Sequence, residues 1–252
     1  MNLPVAFAAD ERTGPPPSRG RRQWLALAGA AILLSQSRGA QAQPPVHRFG
    51  TIGAGNLGTT LGELWVRAGI EVMFSSRDPA ELTPLAHSLG PLARTGTVTR
   101  AIDFGDAVLL AVPYDQYPQL GRDFGSALAG KVVIDAGNAV RSVLFDETRR
   151  LGIGVTTARY LPGARIVRAF NAANHRVFAR EAGRPAPRMA VPIAGDDTDA
   201  LDLVASLVDA AGFDPLIVGG LKEADRFAMG TAGFGHVLPI DELAAKLGMP
   251  RR

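Results

Sequence analysis

From Phe49 onward, short apolar runs rich in β-branched residues alternate with longer amphipathic stretches. Residues 107–112 are all apolar, as a strand covered on both faces of a sheet requires. Leu57, Leu61 and Leu64 recur at helical spacing before Gly69, which predicts a helix that ends there. The alternation predicts an α/β fold: a doubly wound, mostly parallel sheet with helices on both faces. The predicted strands are residues 49–52, 70–74, 106–112, 131–135, 165–169, 189–194 and 215–218, with a weaker strand near Thr97.

A glycine-rich hexapeptide follows the first predicted strand and opens the first predicted helix. It consists of Gly53, Ala54, Gly55, Asn56, Leu57 and Gly58. In this context Gly53 allows a tight turn, Gly55 lets the backbone approach a pyrophosphate, and Gly58 lets the helix pack closely on the strand. The free N–H groups at the helix N-terminus attract the same anion. The motif therefore predicts a Rossmann-type dinucleotide site.

The end of the second predicted strand indicates which dinucleotide is bound. An NAD site places Asp or Glu there, about 20 residues after the glycines, to bind the ribose 2′-hydroxyl. This chain has Ser75, Ser76 and Arg77 instead. A guanidinium and two hydroxyls suit a 2′-phosphate, which a carboxylate would repel. NADP(H) is therefore preferred over NAD(H), with the alternative that Arg77 is a solvated loop residue beside the next helix cap.

The excess positive charge lies at the N-terminus. The formal net charge is +3, but residues 1–42 hold five arginines and two acidic residues, so the remaining 210 residues carry 22 of each sign. This balance is poor support for nucleic-acid binding. With no cysteine in the chain, disulfides, thiolate metal sites and thiol nucleophiles are excluded. The scattered histidines lack metal-ligand spacing, so no protein metal site is expected.

Residues 1–42 are interpreted as a twin-arginine-type signal peptide. Arg21 and Arg22 precede an apolar run over residues 24–34, and Ala40-Gln41-Ala42 matches a signal-peptidase site. The run is too short to span a bilayer, which takes roughly 20 residues. We expect cleavage after Ala42, no stable membrane span afterwards and a periplasmic location. A cytoplasmic location is the alternative if this segment is not a functional signal.

With these motifs in view, the chain from Gly50 to about Arg226 resembles the NADP-dependent coenzyme F-420 oxidoreductase family, which includes the oxidoreductase domain of six-transmembrane metalloreductases. The resemblance rests on residues 51–58, Ser76-Arg77, residues 109–113, residues 133–135 and the turn at residues 195–197, while Ala169-Phe170-Asn171 resembles the metalloreductase branch. It implies NADPH binding by the phosphate loop and the Ser-Arg pair. It further implies that the loops after the fourth, fifth and sixth strands surround the nicotinamide. The residues so placed are Val112, Pro113, Tyr114, Ala136, Gly137, Asn138, Phe170 and Asn171.

The family ends in a helical segment that contributes to the acceptor site and to a dimer, so a homodimer is possible here. In this chain a glycine-rich stretch, residues 227–235, replaces that helix. We therefore predict residues 43–226 as an NADP-binding Rossmann domain and residues 227–252 as a helical or irregular extension. The resemblance leaves the acceptor open among a deazaflavin, a flavin and a chelated ferric ion.

Hydride transfer to such an acceptor requires no acid or base from the protein, so the catalytic residues remain unknown. His175 is a weak candidate for a proton donor, with a surface or capping role as the alternative. Tyr114 could close over the nicotinamide or simply pack, and Asp196-Asp197 are expected to cap a helix. The leading hypothesis is an NADPH-dependent oxidoreductase with a small-molecule redox acceptor. The alternatives are a non-catalytic NADP(H)-binding module and an imine or hydroxyacid dehydrogenase.

Overall fold

The computed structural model describes residues 48–250, so the predicted signal segment lies outside the described residues. Within this range the chain forms eight strands and nine α-helices. The strands are β1 (Arg48–Ile52), β2 (Glu71–Ser75), β3 (Ala93–Gly96), β4 (Ala107–Leu110), β5 (Val132–Asp135), β6 (Arg165–Arg168), β7 (Ala190–Gly195) and β8 (Asp214–Gly219). The helices are α1 (Asn56–Arg67), α2 (Thr83–Leu89), α3 (Val98–Phe104), α4 (Tyr117–Leu128), α5 (Phe145–Leu151), α6 (Ile153–Tyr160), α7 (His175–Glu181), α8 (Thr198–Ala210) and α9 (Ile240–Lys246). None of them is long and apolar enough to cross a membrane.

The eight strands form one sheet in the order β3-β2-β1-β4-β5-β6-β7-β8. The order reverses direction at β1, where the chain crosses from one half of the sheet to the other. Strands β1 to β6 run parallel, so their carboxyl ends share one edge of the sheet. In doubly wound sheets this edge, at the reversal of strand order, is where ligands bind. The predicted fold class and all eight predicted strands are confirmed.

Alternate residues of the strands face two separate apolar cores. Phe49, Leu109 and Ile134 belong to the core covered by α1, α7 and α8, whereas Val108 and Val133 belong to the core covered by α3, α4 and α6. On the first face Trp65 is fully buried and its indole N–H donates to the Leu207 carbonyl at 2.9 Å. Because both faces are covered, the central strands had to be apolar throughout.

Strand β7 runs antiparallel to β6, and β8 runs parallel to β7. The turn after β7 therefore lies at the amino end of β6, on the edge opposite the carboxyl ends of β1 to β6. There Asp197 accepts a hydrogen bond from the Ala200 N–H at the start of α8 and pairs with Arg165, while Asp196 accepts from the Leu221 N–H. The predicted capping of the helix after residue 197 is therefore confirmed for Asp197 and wrong for Asp196, which binds the backbone of a different segment.

The C-terminal extension is packed onto the second core. Gly220 is followed by a 3₁₀ helix over Leu221–Phe227, then by the glycine-rich stretch, and α9 lies beyond it. Phe227, Leu243 and Leu247 are buried. The stretch is tied at both ends to the residues after β6, since Asn171 Nδ2 donates to the Phe227 carbonyl and the Gly235 N–H donates to the Ala172 carbonyl. The extension, predicted as helical or irregular, contains one α-helix, Ile240–Lys246, after the glycine-rich stretch.

Candidate functional site

The glycine hexapeptide forms the turn between β1 and α1. Gly53 has φ +98°, a conformation that side chains disfavour. A Cβ at Gly58 would lie 2.0 Å from the Gly53 carbonyl oxygen, whereas a Cβ at Gly55 would meet nothing within 4 Å. Gly53 and Gly58 are therefore required by the turn itself, and Gly55 leaves open space on the outside.

The N-terminus of α1 offers unused backbone donors next to this turn. The first hydrogen bond of the helix runs from the Thr59 N–H to the Gly55 carbonyl at 2.9 Å, so the N–H groups of Asn56, Leu57 and Gly58 have no helical partner. Gly55 caps the helix without a side-chain hydrogen bond, and the first turn contains no acidic residue. These groups form a site for an anion.

At the end of β2 the three predicted phosphate ligands differ in their availability. Ser75 is fully buried and its hydroxyl donates to the Thr51 carbonyl at 2.5 Å, so the prediction that Ser75 binds the 2′-phosphate through its side chain is wrong. Ser76 is half-buried and donates to the Asp78 carbonyl. Arg77 is exposed, and its guanidinium forms no ion pair or hydrogen bond with any residue in the range 48–250. Arg77 is the side chain that remains free to bind a phosphate.

The loops after β4, β5 and β6 meet at the same edge of the sheet, but two aromatic side chains in them face inward. Tyr114 is buried, stacks on Tyr117 with ring centroids 4.4 Å apart, and hydrogen bonds to Ile153 and Thr157. Burial, together with the Asp135 carboxylate, raises the pKa of Tyr114, so its hydroxyl stays protonated. The interpretation that Tyr114 covers a nicotinamide is therefore wrong, and the packing alternative holds.

Phe170 is also a core residue. It has φ +58° and is buried, and its ring packs edge-on against Trp65, Phe178 and Phe213. An aromatic cluster on the α1 and α8 face of the sheet holds the ring, so only the backbone of Phe170 can face a nicotinamide, and its place near that ring stays a prediction. Of the other predicted residues in these loops, Val112 is half-buried, Pro113 is exposed, and Ala136, Gly137 and Asn171 are buried.

Two cavities open at this edge, and they meet at Asn138 and Met229. The first has a volume of about 430 Å³. It is lined by Asn138, Ala139, Val140, Phe145, Thr148, Arg149, Ile153, Asp225, Ala228, Met229, Gly230 and Thr231. The second has a volume of about 510 Å³. It is lined by Leu57, Asn138, Ala173, Asn174, His175, Val177, Met229, Phe234 and Gly235. The glycine-rich stretch thus forms a wall of both cavities, a role that the sequence did not indicate.

His175 lies at the start of α7 and lines the second cavity, half-buried. The neighbouring Asn174, not His175, caps the helix by accepting a hydrogen bond from the Arg176 N–H. No hydrogen bond joins the His175 ring to another residue of the described part of the chain. The capping alternative for His175 is therefore wrong, and its role as a proton donor stays a prediction.

A buried ion pair beneath the turn after β5 was missed by the sequence reasoning. Asp135 and Arg168 are fully buried at the ends of β5 and β6, 2.8 Å apart between Oδ2 and Nη1. Tyr117 and Thr157 donate to the same carboxylate, each at 2.6 Å. The sequence does contain a signal for this pair, because two neighbouring apolar strands end in opposite charges. Parallel pairing in register places Asp135 beside Arg168.

Arg168 keeps its charge and Tyr117 keeps its proton despite their burial. Burial alone would lower the pKa of Arg168, but the Asp135 carboxylate raises it above the ordinary value, so the guanidinium stays charged. Burial and the same carboxylate raise the pKa of Tyr117 well above its ordinary value. The Tyr117 hydroxyl therefore stays a hydrogen-bond donor to Asp135.

Comparison with known proteins agrees with this geometry. Residues 48–139, from β1 to the turn after β5, match the model of a family described as NADP oxidoreductase coenzyme F420-dependent. Rat metalloreductase STEAP3 is 29% identical over 197 residues, which are 76% of this chain and 38% of that protein. The chain thus spans well under half the length of this relative.

Two solved structures share the fold over most of the chain. A hypothetical protein, SMa0349 from Sinorhizobium meliloti, is 26% identical with a TM-score of 0.67, covering 82% of this chain and 98% of that one. An F420-dependent NADP-reductase, described as putative, from Arthrobacter sp. FB24 is 21% identical with a TM-score of 0.60, covering 77% and 99%. These likenesses show that the chain shares the Rossmann fold of these structures, and residues 48–139 match the coenzyme F420-dependent NADP oxidoreductase family.

Proposed function

We propose that this protein is an NADPH-dependent oxidoreductase that transfers hydride between NADP(H) and a small-molecule redox acceptor. The observation that carries the proposal is the Arg77 guanidinium at the end of β2, which has no partner within residues 48–250, together with backbone N–H groups at the start of α1 that have no helical partner. The family of the matched residues supports the same cofactor.

The residues present fit a dinucleotide with a 2′-phosphate. The open space outside Gly55 admits a pyrophosphate to the N–H groups of Asn56, Leu57 and Gly58. Residues 75–77 contain no carboxylate that would accept a ribose 2′-hydroxyl or repel a phosphate. In this arrangement Arg77 binds the 2′-phosphate as a charged, planar donor.

The two cavities accommodate the two reacting rings. The cavity that contains Leu57 borders the phosphate loop, so we assign the nicotinamide half of the nucleotide to it. The neighbouring cavity, with Val140, Phe145 and Met229 in its wall, would take the acceptor. NADPH supplies the hydride, and the protein contributes apolar walls that exclude water and hold two rings in contact. A deazaflavin or a flavin suits such walls better than a hydrated ferric chelate.

The alternative is a module that binds NADP(H) without turnover. It is favoured if the glycine-rich stretch, residues 227–235, fails to form the acceptor part of the site. Residues 228–231 line the first cavity, so this part of the chain contributes walls to an acceptor site. We therefore retain the oxidoreductase as the proposal. Oxidation of NADPH with a panel of deazaflavin, flavin, ferric chelate and cyclic imine separates the alternatives. Steady oxidation with a ring acceptor is expected, and binding without oxidation of any acceptor would support the module.

The cofactor preference is tested by fluorescence titration with NADPH and NADH. The wild-type protein should bind NADPH more tightly, because a charge-assisted contact to the 2′-phosphate contributes about 1.5–3 kcal/mol, or roughly tenfold to a hundredfold. Arg77→Glu should abolish or reverse the preference, since the new carboxylate repels the phosphate and can bind the 2′-hydroxyl. Arg67→Glu, at the far end of α1, is the matched control and should leave the preference unchanged. Equal affinities of the wild-type protein for both nucleotides would contradict the assignment.

A further inference from the structure

The buried ion pair of Asp135 and Arg168 holds both backbone polar groups of one residue, Gly137. The Gly137 N–H donates to Asp135 Oδ1 at 3.0 Å, and Arg168 Nη1 donates to the Gly137 carbonyl at 2.8 Å. The same Nη1 lies 2.8 Å from Asp135 Oδ2. The pair and Gly137 thus form one closed set of hydrogen bonds directly after β5.

The turn is also held sterically. A Cβ at Gly137 would lie 2.4 Å from the Tyr117 hydroxyl oxygen and 3.0 Å from the Tyr114 ring. Tyr117 is in turn bound to Asp135 through its hydroxyl. The backbone at Gly137 therefore packs against Tyr117, whose hydroxyl is oriented by its hydrogen bond to Asp135. The next residue, Asn138, lines both cavities.

Stability alone does not account for this ion pair. Desolvating two charges is costly, and a buried ion pair is often no better for stability than an apolar pair of similar volume. Here Nε and Nη2 of Arg168 make no hydrogen bond within residues 48–250, which adds to that cost. In the same range, the other buried side-chain atoms without a partner are Asn138 Oδ1, Asn171 Oδ1 and Thr51 Oγ1. Two of these three belong to asparagines that are joined by a hydrogen bond from Asn138 Nδ2 to the Asn171 carbonyl. Of the residues with unsatisfied atoms, Asn138 lines both cavities, and Asn171 is hydrogen-bonded to it.

We propose that Asp135 and Arg168 are positioning residues that hold the turn at residues 136–138 in place against the nicotinamide half of the bound nucleotide. The inference rests on the proposed function, because it takes NADP(H) as the ligand. Both side chains are fully buried, so they act through the Gly137 backbone and through Asn138 rather than by touching the nucleotide. The adenosine half, which is bound at the ends of β1 and β2, does not depend on them.

The test compares two ligands on the double variant Asp135→Leu/Arg168→Met, which replaces the pair with apolar side chains of similar size. NADPH carries the nicotinamide, whereas adenosine 2′,5′-bisphosphate carries only the adenosine half and the 2′-phosphate. We expect NADPH to bind about tenfold more weakly than to the wild-type protein, and the bisphosphate to bind within about twofold. Arg165→Met, which removes an arginine from the opposite end of the same strand, is the control and should change neither affinity.

The outcomes separate this inference from the proposed function. If the double variant binds NADPH as tightly as the wild-type protein does, or loses affinity equally for both ligands, the positioning role is wrong while NADP(H) binding stands. If the wild-type protein binds neither ligand, the proposed function fails and this inference fails with it. Should the double variant not fold, Tyr117→Phe removes a single hydrogen bond to Asp135 and should show the same split, about threefold for NADPH alone. An equal change for both ligands in that variant overturns the proposal.

Discussion

Replacing Gly58 with alanine should abolish measurable NADPH binding, with a loss of about a hundredfold or more. The new Cβ would lie 2.0 Å from the Gly53 carbonyl oxygen and 3.2 Å from the Ala111 Cβ. Neither neighbour is the end of a flexible side chain, so the turn and the start of α1 must move apart. That displacement misaligns the free N–H groups that we assign to the pyrophosphate. Overpacking of this kind also destabilises a protein by about 1–3 kcal/mol.

Two further glycine substitutions separate binding from stability. Gly55→Ala meets no atom within 4 Å, so the free protein should be as stable as the wild type while NADPH binding weakens, because the methyl group occupies the approach of the pyrophosphate. Gly125→Ala lies in α4, also without a contact, and should leave binding unchanged. Fluorescence titration and thermal denaturation of the three variants measure both effects. Near wild-type affinity in Gly58→Ala would show that the nucleotide does not bind at this loop.

The single substitution Arg168→Met should destabilise the fold by about 3–5 kcal/mol, because it leaves the Asp135 carboxylate fully buried without its counter-charge. For a domain of this size each kcal/mol lowers Tm by about 2–4 °C, so a decrease of roughly 6–20 °C is expected. The double variant Asp135→Leu/Arg168→Met removes both charges and should recover part of this loss, because the Tyr117 hydroxyl and the Gly137 N–H still lose their acceptor. Thermal and urea denaturation give the two values.

Glu147→Met is the control for the loss of a paired charge near the surface, where Glu147 accepts from Arg159 and from the Tyr160 hydroxyl. Glu147 pairs with Arg159 at 3.0 Å near the surface, with the Arg159 side chain 60% exposed, so solvent already screens the interaction. A change of about 1 kcal/mol or less is expected there. If Arg168→Met is no more destabilising than Glu147→Met, water reaches the Asp135 carboxylate. The ion pair is then not shielded from solvent, contrary to its burial in the structure.

Local pattern was enough to predict the sheet and the phosphate loop. A strand covered on both faces must be apolar at every position, and residues 107–112 show this directly. Gly53 has a positive φ that side chains disfavour, and Gly58 has no room for a Cβ. The presence of glycine at both positions therefore predicts the tight turn. The absence of an acidic residue at positions 75–77 is likewise visible in the sequence and does not depend on how the chain folds.

The direction in which a side chain points was not predictable from the same pattern. Ser75, Tyr114 and Phe170 all follow or end strands of the parallel edge, where ligands bind, yet all three face inward. Ser75 is turned inward by the Thr51 carbonyl, and Phe170 by an aromatic cluster whose members come from α1, α7 and the loop before β8. These partners are distant in sequence, so only the folded chain reveals them.

Spacing and composition alone determine that this chain is a doubly wound α/β protein with a glycine-rich turn before its first helix and a cation after β2, because strands, tight turns and helix starts are specified by neighbouring residues. The tertiary structure decides the remainder of the site. It pairs Asp135 with Arg168 across two strands and folds residues 227–235 back over the ends of those strands as the wall of two cavities. Both depend on contacts between segments more than 30 residues apart, and such contacts are set by packing and by burial of charge rather than by any local pattern.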